Sequence, residues 1–149
     1  MNIYIVKSKK NDFNSYDIKM SLCGECDALG HISIHICSVD GEHWYCVKCI
    51  WHVVAQLPVV IIALDDIRPR WHEVNWDGVK STDPNPDHKK RISEADLNYP
   101  IVLTQNYTIL DGCHRLVKAA TSGASHIKAA IVSPDEISVA TYEKKTFHV

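Results

Sequence analysis

Thr108-Ile109-Leu110-Asp111-Gly112-Cys113-His114-Arg115-Leu116 carries the chain from an apolar run through a glycine into residues at helical spacing. Leu116, Val117, Ala119 and Ala120 continue that spacing until Ser122-Gly123 stops it, so a strand, a tight turn and a helix follow one another. Such a turn aims the first N–H groups and the positive dipole of the helix past the strand end, where an anion belongs. Gly112 permits close backbone approach, and Arg115 offers a bidentate fork to phosphate oxygens. His114 donates or transfers a proton, and Asp111 holds a metal ion or accepts a proton. Cys113, at a helix N-terminus beside His114 and Arg115, has surroundings that favour its thiolate.

Working outward, Ile127 to Val132 reads as a further strand, and Ser133-Pro134-Asp135-Glu136 as a helix start with proline first and acids in the first turn. Upstream, Pro100 to Leu103 is a strand, Gln105-Asn106 a turn, and Ser93 caps a short turn carrying Glu94 and Asp96. Val59-Val60-Ile61-Ile62-Ala63-Leu64 suits a strand buried on both faces, ended by Asp65-Asp66 and Pro69. Residues 68–90 read as irregular, with Pro84 and Pro86 in a long loop. Within it, His88-Lys89-Lys90-Arg91 is a solvated run nearly neutralised by Asp83, Asp87, Glu94 and Asp96, a DNA contact being the sharper reading. Trp71 and Trp76 anchor the loop to the core.

Before Gln56 the chemistry changes. Cys23 and Cys26 form one Cys-x-x-Cys and Cys46 and Cys49 a second, nineteen residues apart. That spacing fits a four-cysteine zinc site with each thiolate about 2.3 Å from the ion. Four protein ligands leave no open position, so the zinc is structural. Between the pairs, His31 to Ile36 alternates as a strand and Asp40-Gly41 is a turn before a second strand through His43 to Tyr45, giving a hairpin between two knuckles.

Six cysteines in 149 residues, with 46% hydrophobic and 23% charged residues, describe one ordinary core with a small appended module. Sixteen Lys and Arg against eighteen Asp and Glu give a formal charge of −2, which excludes a sequence-independent grip on nucleic acid from bulk charge. Met1 to Lys7 has no secretory apolar region, and Val53 to Leu64 is interrupted by Gln56 and Pro58 and too short to span a bilayer. The expectation is a cytoplasmic protein with no membrane partner.

Residues from about Val59 to Val132 resemble the ParB/sulfiredoxin superfamily, through Ile92 to Val102, Ile109 to Ala119, Gly123 and Ile127 to Val132. That superfamily includes CTP-binding partition proteins, ATP-dependent free-amino-acid kinases, reported nucleases and sulfiredoxins. The resemblance implies phosphate binding by Gly112, His114 and Arg115, with Lys118 where the pattern has alanine. A sulfiredoxin-like role for Cys113 is opposed by Asp111, whose negative charge works against a neighbouring thiolate. Relatives of the kinase type place a carboxylate after the first strand, where Asp65, Asp66 and Glu73 stand here.

The expected fold is α+β: a zinc ribbon at 1–56 and a ParB/sulfiredoxin-like domain at 57–149, with a mixed sheet and flanking helices. The expected function is nucleotide binding with phosphotransfer or nucleotide hydrolysis, using ATP or CTP with Mg²⁺. Asp111, His114 and Cys113 are the candidate catalytic residues, and the alternative is a DNA-binding or protein-binding adaptor.

Overall fold

The computed structural model describes residues 3–5, 16–20, 43–45, 47–138 and 141–146. In chain order the elements are β1 (Ile3–Ile5), β2 (Tyr16–Met20), β3 (His43–Tyr45), α1 (Val47–Val54), β4 (Val60–Ala63), β5 (Asn75–Trp76), β6 (Val79–Lys80), α2 (Pro86–Glu94), β7 (Ile101–Thr104), β8 (Ile109–Asp111), α3 (Cys113–Thr121), β9 (His126–Val132), α4 (Pro134–Ser138) and β10 (Thr141–Thr146). Two 3-10 turns, Leu64–Asp66 and Trp71–Glu73, follow β4. The protein is thus mixed α+β, and no helix among the described residues is long and apolar enough to cross a membrane.

The chain divides into Met1–Ala55 with Pro134–Val149, and Gln56–Ser133. In the first unit an antiparallel sheet runs in the order β1-β2-β10-β3. Because β10 pairs with β2, Lys144 opposite Ile18, and with β3, Tyr142 opposite Trp44, the segment from Pro134 belongs with the first unit and not with the expected 57–149 domain. Cys49 lies in α1, where a second knuckle was expected. Cys23, Cys26, Cys46 and the expected strand His31 to Ile36 lie outside the described residues.

The second unit is built on a mixed sheet in the order β4-β9-β7-β8. Its centre is β7, parallel to β9 and antiparallel to β8. Ile101, Val102 and Leu103 are all fully buried, so β7 is the strand covered on both faces. Of the run Val59 to Leu64, Val60–Ala63 instead forms an edge strand. Ile62 is 8% exposed while Val59 and Ile61 are 52% and 61% exposed, since β4 pairs only with β9 and turns one face outward. One face of the sheet joins Ile101, Leu103, Ile109, Ile127 and Ala129 to Leu116 and Ala119 of α3 in a single core.

The segment expected to be irregular is ordered. Asp77 and Gly78, with φ of 51° and 91°, make the two-residue turn of the β5–β6 hairpin, and positive φ at both positions matches the twist of paired strands. Asn85 caps α2 by accepting from the His88 N–H at 2.9 Å, and Pro86 fills its first position. Pro84 and Pro86 therefore do not mark a continuing loop, and Ser93 sits in the last turn of α2, its hydroxyl donating to Lys90 O.

Gly112 has φ of 105° and Gly123 of 84°. A Cβ at 112 would come within 2.7 Å of Ile101 Cγ2, whereas one at 123 meets nothing within 4 Å. Both alanine substitutions are expected to cost about 1–2 kcal/mol for the left-handed backbone, and Gly112→Ala to cost more because the methyl strikes β7. Urea denaturation of the two variants side by side checks this, and equal midpoints would contradict the packing of the turn on Ile101.

Candidate functional site

The β8–α3 turn is where the sequence placed it. Gly112, left-handed and without a side chain, precedes the first residue of α3, and Leu116 N–H makes the first bond of the helix, to Gly112 O at 2.9 Å. Asp111 ends β8, and Cys113, His114 and Arg115 form the first turn of α3, so the five expected residues do share one turn. Cys113 is half-buried and packs against the core.

Asp111 and Arg115 face each other. Arg115 Nη2 donates to Asp111 Oδ2 at 3.3 Å, with side chains 18% and 30% exposed, so each charge partly neutralises the other. Among the described residues no group of three or more His, Cys, Asp or Glu side chains is placed to hold a metal ion. Asp65 and Asp66 are exposed in the 3-10 turn, and Glu73 accepts from the Arg70 N–H at 2.8 Å, a capping role.

Sequence reading missed the partners of His114. His88 Nδ1 and His114 Nε2 lie 2.9 Å apart, joining α2 to α3 through their imidazoles. The Trp76 indole stacks on both rings, 4.3 Å from His88 at 13° and 4.6 Å from His114 at 8°. The planes of the two imidazoles are themselves within 18° of parallel. Trp76 therefore does more than anchor the hairpin: it lays one apolar plate across a hydrogen-bonded histidine pair. The signals available were Asp77-Gly78 for a hairpin and Asn85-Pro86 for a helix start. Together they present Trp76 and His88, though nothing local shows that both meet His114.

The run from His88 to Arg91 is helical and not a solvated loop. Lys89, Lys90 and Arg91 are exposed on α2, and Lys90 reaches Glu94 at 3.9 Å. Burial lowers the pKa of His114 from its usual 6.5 to about 4, reinforced by His88, Arg91 and Arg115 and opposed by Asp111. The ring is thus neutral at pH 7. Lys118 in turn secures α3 to the end of α2, its ammonium donating to Ser93 O at 2.8 Å and Ala95 O at 2.6 Å. Ala119, one residue on, is the small side chain buried beneath the helix, so the lysine at 118 does not disturb the packing.

Comparison with protein-family models, curated proteins and solved structures gives no match to this chain.

Between pH 6.5 and 4 the unfolded chain binds more protons at residue 114 than the native one, so acid favours unfolding there. The contribution is complete above pH 6.5 and is lost as the pH falls toward 4. The urea midpoint is expected to fall more for the wild type than for His114→Gln between about pH 7.5 and about pH 5. Parallel loss in both proteins would show that His114 is not held neutral.

Proposed function

We propose that Gln56–Ser133 is a ParB/sulfiredoxin-like unit that binds a nucleotide through its phosphates at the β8–α3 turn. The observation that carries this reading is the Asp-Gly-Cys-His-Arg turn itself, with left-handed Gly112 opening a helix whose first turn brings His114 and Arg115 together. Gly112 offers backbone without side-chain bulk, the N-terminal end of α3 favours negative charge, and the Arg115 guanidinium adds a fork for phosphate oxygens. His114, held neutral, contributes a hydrogen bond and not a charge. The reaction class is phosphotransfer or nucleotide hydrolysis with ATP or CTP and Mg²⁺, in which the nucleotide phosphates carry the metal.

Asp111 serves this site by orienting Arg115 through their 3.3 Å contact, which leaves the proton work to the histidines. Cys113, packed against the core, supports the turn from beneath.

The expected outcome is a thermal shift of several degrees by one nucleotide with Mg²⁺, present at about 100 times its Kd, corresponding to about 2.7 kcal/mol. Arg115→Ala is expected to abolish the shift. A panel of ATP, CTP, GTP and UTP that shifts neither protein, or both equally, would overturn the assignment.

The first unit is proposed to hold one structural zinc on Cys23, Cys26, Cys46 and Cys49. Cys49 lies in α1, and the paired Cys-x-x-Cys spacing of Cys23, Cys26, Cys46 and Cys49 carries the argument. Elemental analysis is expected to find one zinc per chain, and none in the double variant Cys23→Ser, Cys26→Ser; a metal-free wild type purified without chelator would refute the site.

A further inference from the structure

An N–H···N bond between two neutral imidazoles contains one proton. Either His88 donates from Nδ1 and His114 keeps its own proton on Nδ1, or His114 donates from Nε2 and its Nδ1 is bare. The contact that permits either state is the 2.9 Å approach of His88 Nδ1 to His114 Nε2. Among the described residues, His114 Nδ1 and His88 Nε2 make no hydrogen bond, so the outer nitrogens of the pair are not committed to protein partners. The two states differ by moving protons along one line of four nitrogens, and the pair is neutral in both.

The surroundings explain why a pair is useful. Arg91 of α2 and Arg115 of α3 both act against a cation on His114, as does His88, and partial burial adds to them. Asp111 acts the other way, but its carboxylate lies against Arg115. Trp76 covers both rings from β5 and keeps their planes nearly parallel. Accepting a proton at His114 Nδ1 without releasing one from Nε2 would leave a cation opposed by Arg91 and Arg115, at a Coulombic and desolvation cost. Two linked imidazoles can pass a proton on and stay uncharged.

We propose that His88 and His114 form a tautomeric proton relay. A proton accepted at His114 Nδ1, from a water or a ligand hydroxyl, displaces the proton on His114 Nε2 onto His88 Nδ1, and the proton on His88 Nε2 leaves to solvent. Only N–H bonds form and break, one proton enters as one leaves, and the reverse sequence delivers a proton. His88 acts through His114 as its positioning and relay residue, and Trp76 holds the two rings in register. The relay deepens the nucleotide reading by giving the proton of an attacking hydroxyl or water a way out, and it rests on that reading for the identity of the donor.

The proton state of the pair belongs to the ligand-free protein, so it is measured without nucleotide, by ¹⁵N NMR of the histidine rings in the full chain across about pH 5.5 to 8. Expected are His114 Nε2 and His88 Nδ1 resonances averaged between the protonated and bare positions, with His114 uncharged at neutral pH. In His88→Asn, whose amide can bond Nε2 but cannot pass a proton through, His114 is expected to settle into one tautomer. Fixed tautomers in the wild type, His114 shifts indifferent to His88→Asn, or a charged His114 at neutral pH would each overturn the relay. If the variant does not fold, the wild-type spectrum decides by itself. Averaged ring resonances without any nucleotide-induced thermal shift would refute the nucleotide reading and leave the relay standing.

Discussion

The backbone of Gly112 lies so close to Ile101 that no side chain fits between them. That approach ties the start of α3 to β7, the strand buried on both faces, and it determines where every polar group of the turn stands. Ile101 shares its core with Leu103, Ile109, Leu116 and Ala119. Burying such aliphatic side chains contributes roughly 1.5–3 kcal/mol each, so the apolar sheet face supplies the rigidity that the charged turn cannot supply for itself. The polar turn and the apolar core meet in one residue whose contribution is to have no side chain.

Around that fixed point the second unit gathers three pieces that begin far apart in sequence. The β5–β6 hairpin brings Trp76, α2 brings His88 and Arg91, and α3 brings His114 and Arg115. Lys118 binds the last carbonyls of α2 from the middle of α3, so the spacing of the two helices is set at one end by an ammonium and at the other by the histidine pair. Burial holds His114 neutral, and Arg91 and Arg115 reinforce this. An indole face suits such a pair better than water would, because it excludes solvent without demanding hydrogen bonds.

The sequence displayed β7, β8, α3 and β9 because β-branched runs and helical spacing are local properties. The Asp-Gly-Cys-His-Arg turn was legible for the same reason: strand, glycine and helix are adjacent. Residues 68–90 read as irregular although Asp77-Gly78 is an ordinary turn signal and Asn85-Pro86 an ordinary helix start, since two prolines and many charges outweigh them. The edge position of β4 was not legible, because composition reports that Val59 to Leu64 is apolar and not how many neighbours it has. The pairing of His88 with His114 lay beyond any local reading, since it depends on two helices packing together.

In the first unit, β10 is an inner strand, between β2 and β3, yet it comes last among the described strands. The entire second unit is spliced between the partners of this sheet. During synthesis, Gln56–Ser133 leaves the ribosome while β2 and β3 still lack the strand that joins them. Closing that sheet spans a long connection, but loop entropy grows only by about 0.6 kcal/mol for each doubling of length. A second unit already folded shortens the effective tether, because the antiparallel pairing of β4 with β9, Val60 opposite Ala129, holds its two ends near each other, and order of emergence then works in favour of closing the sheet.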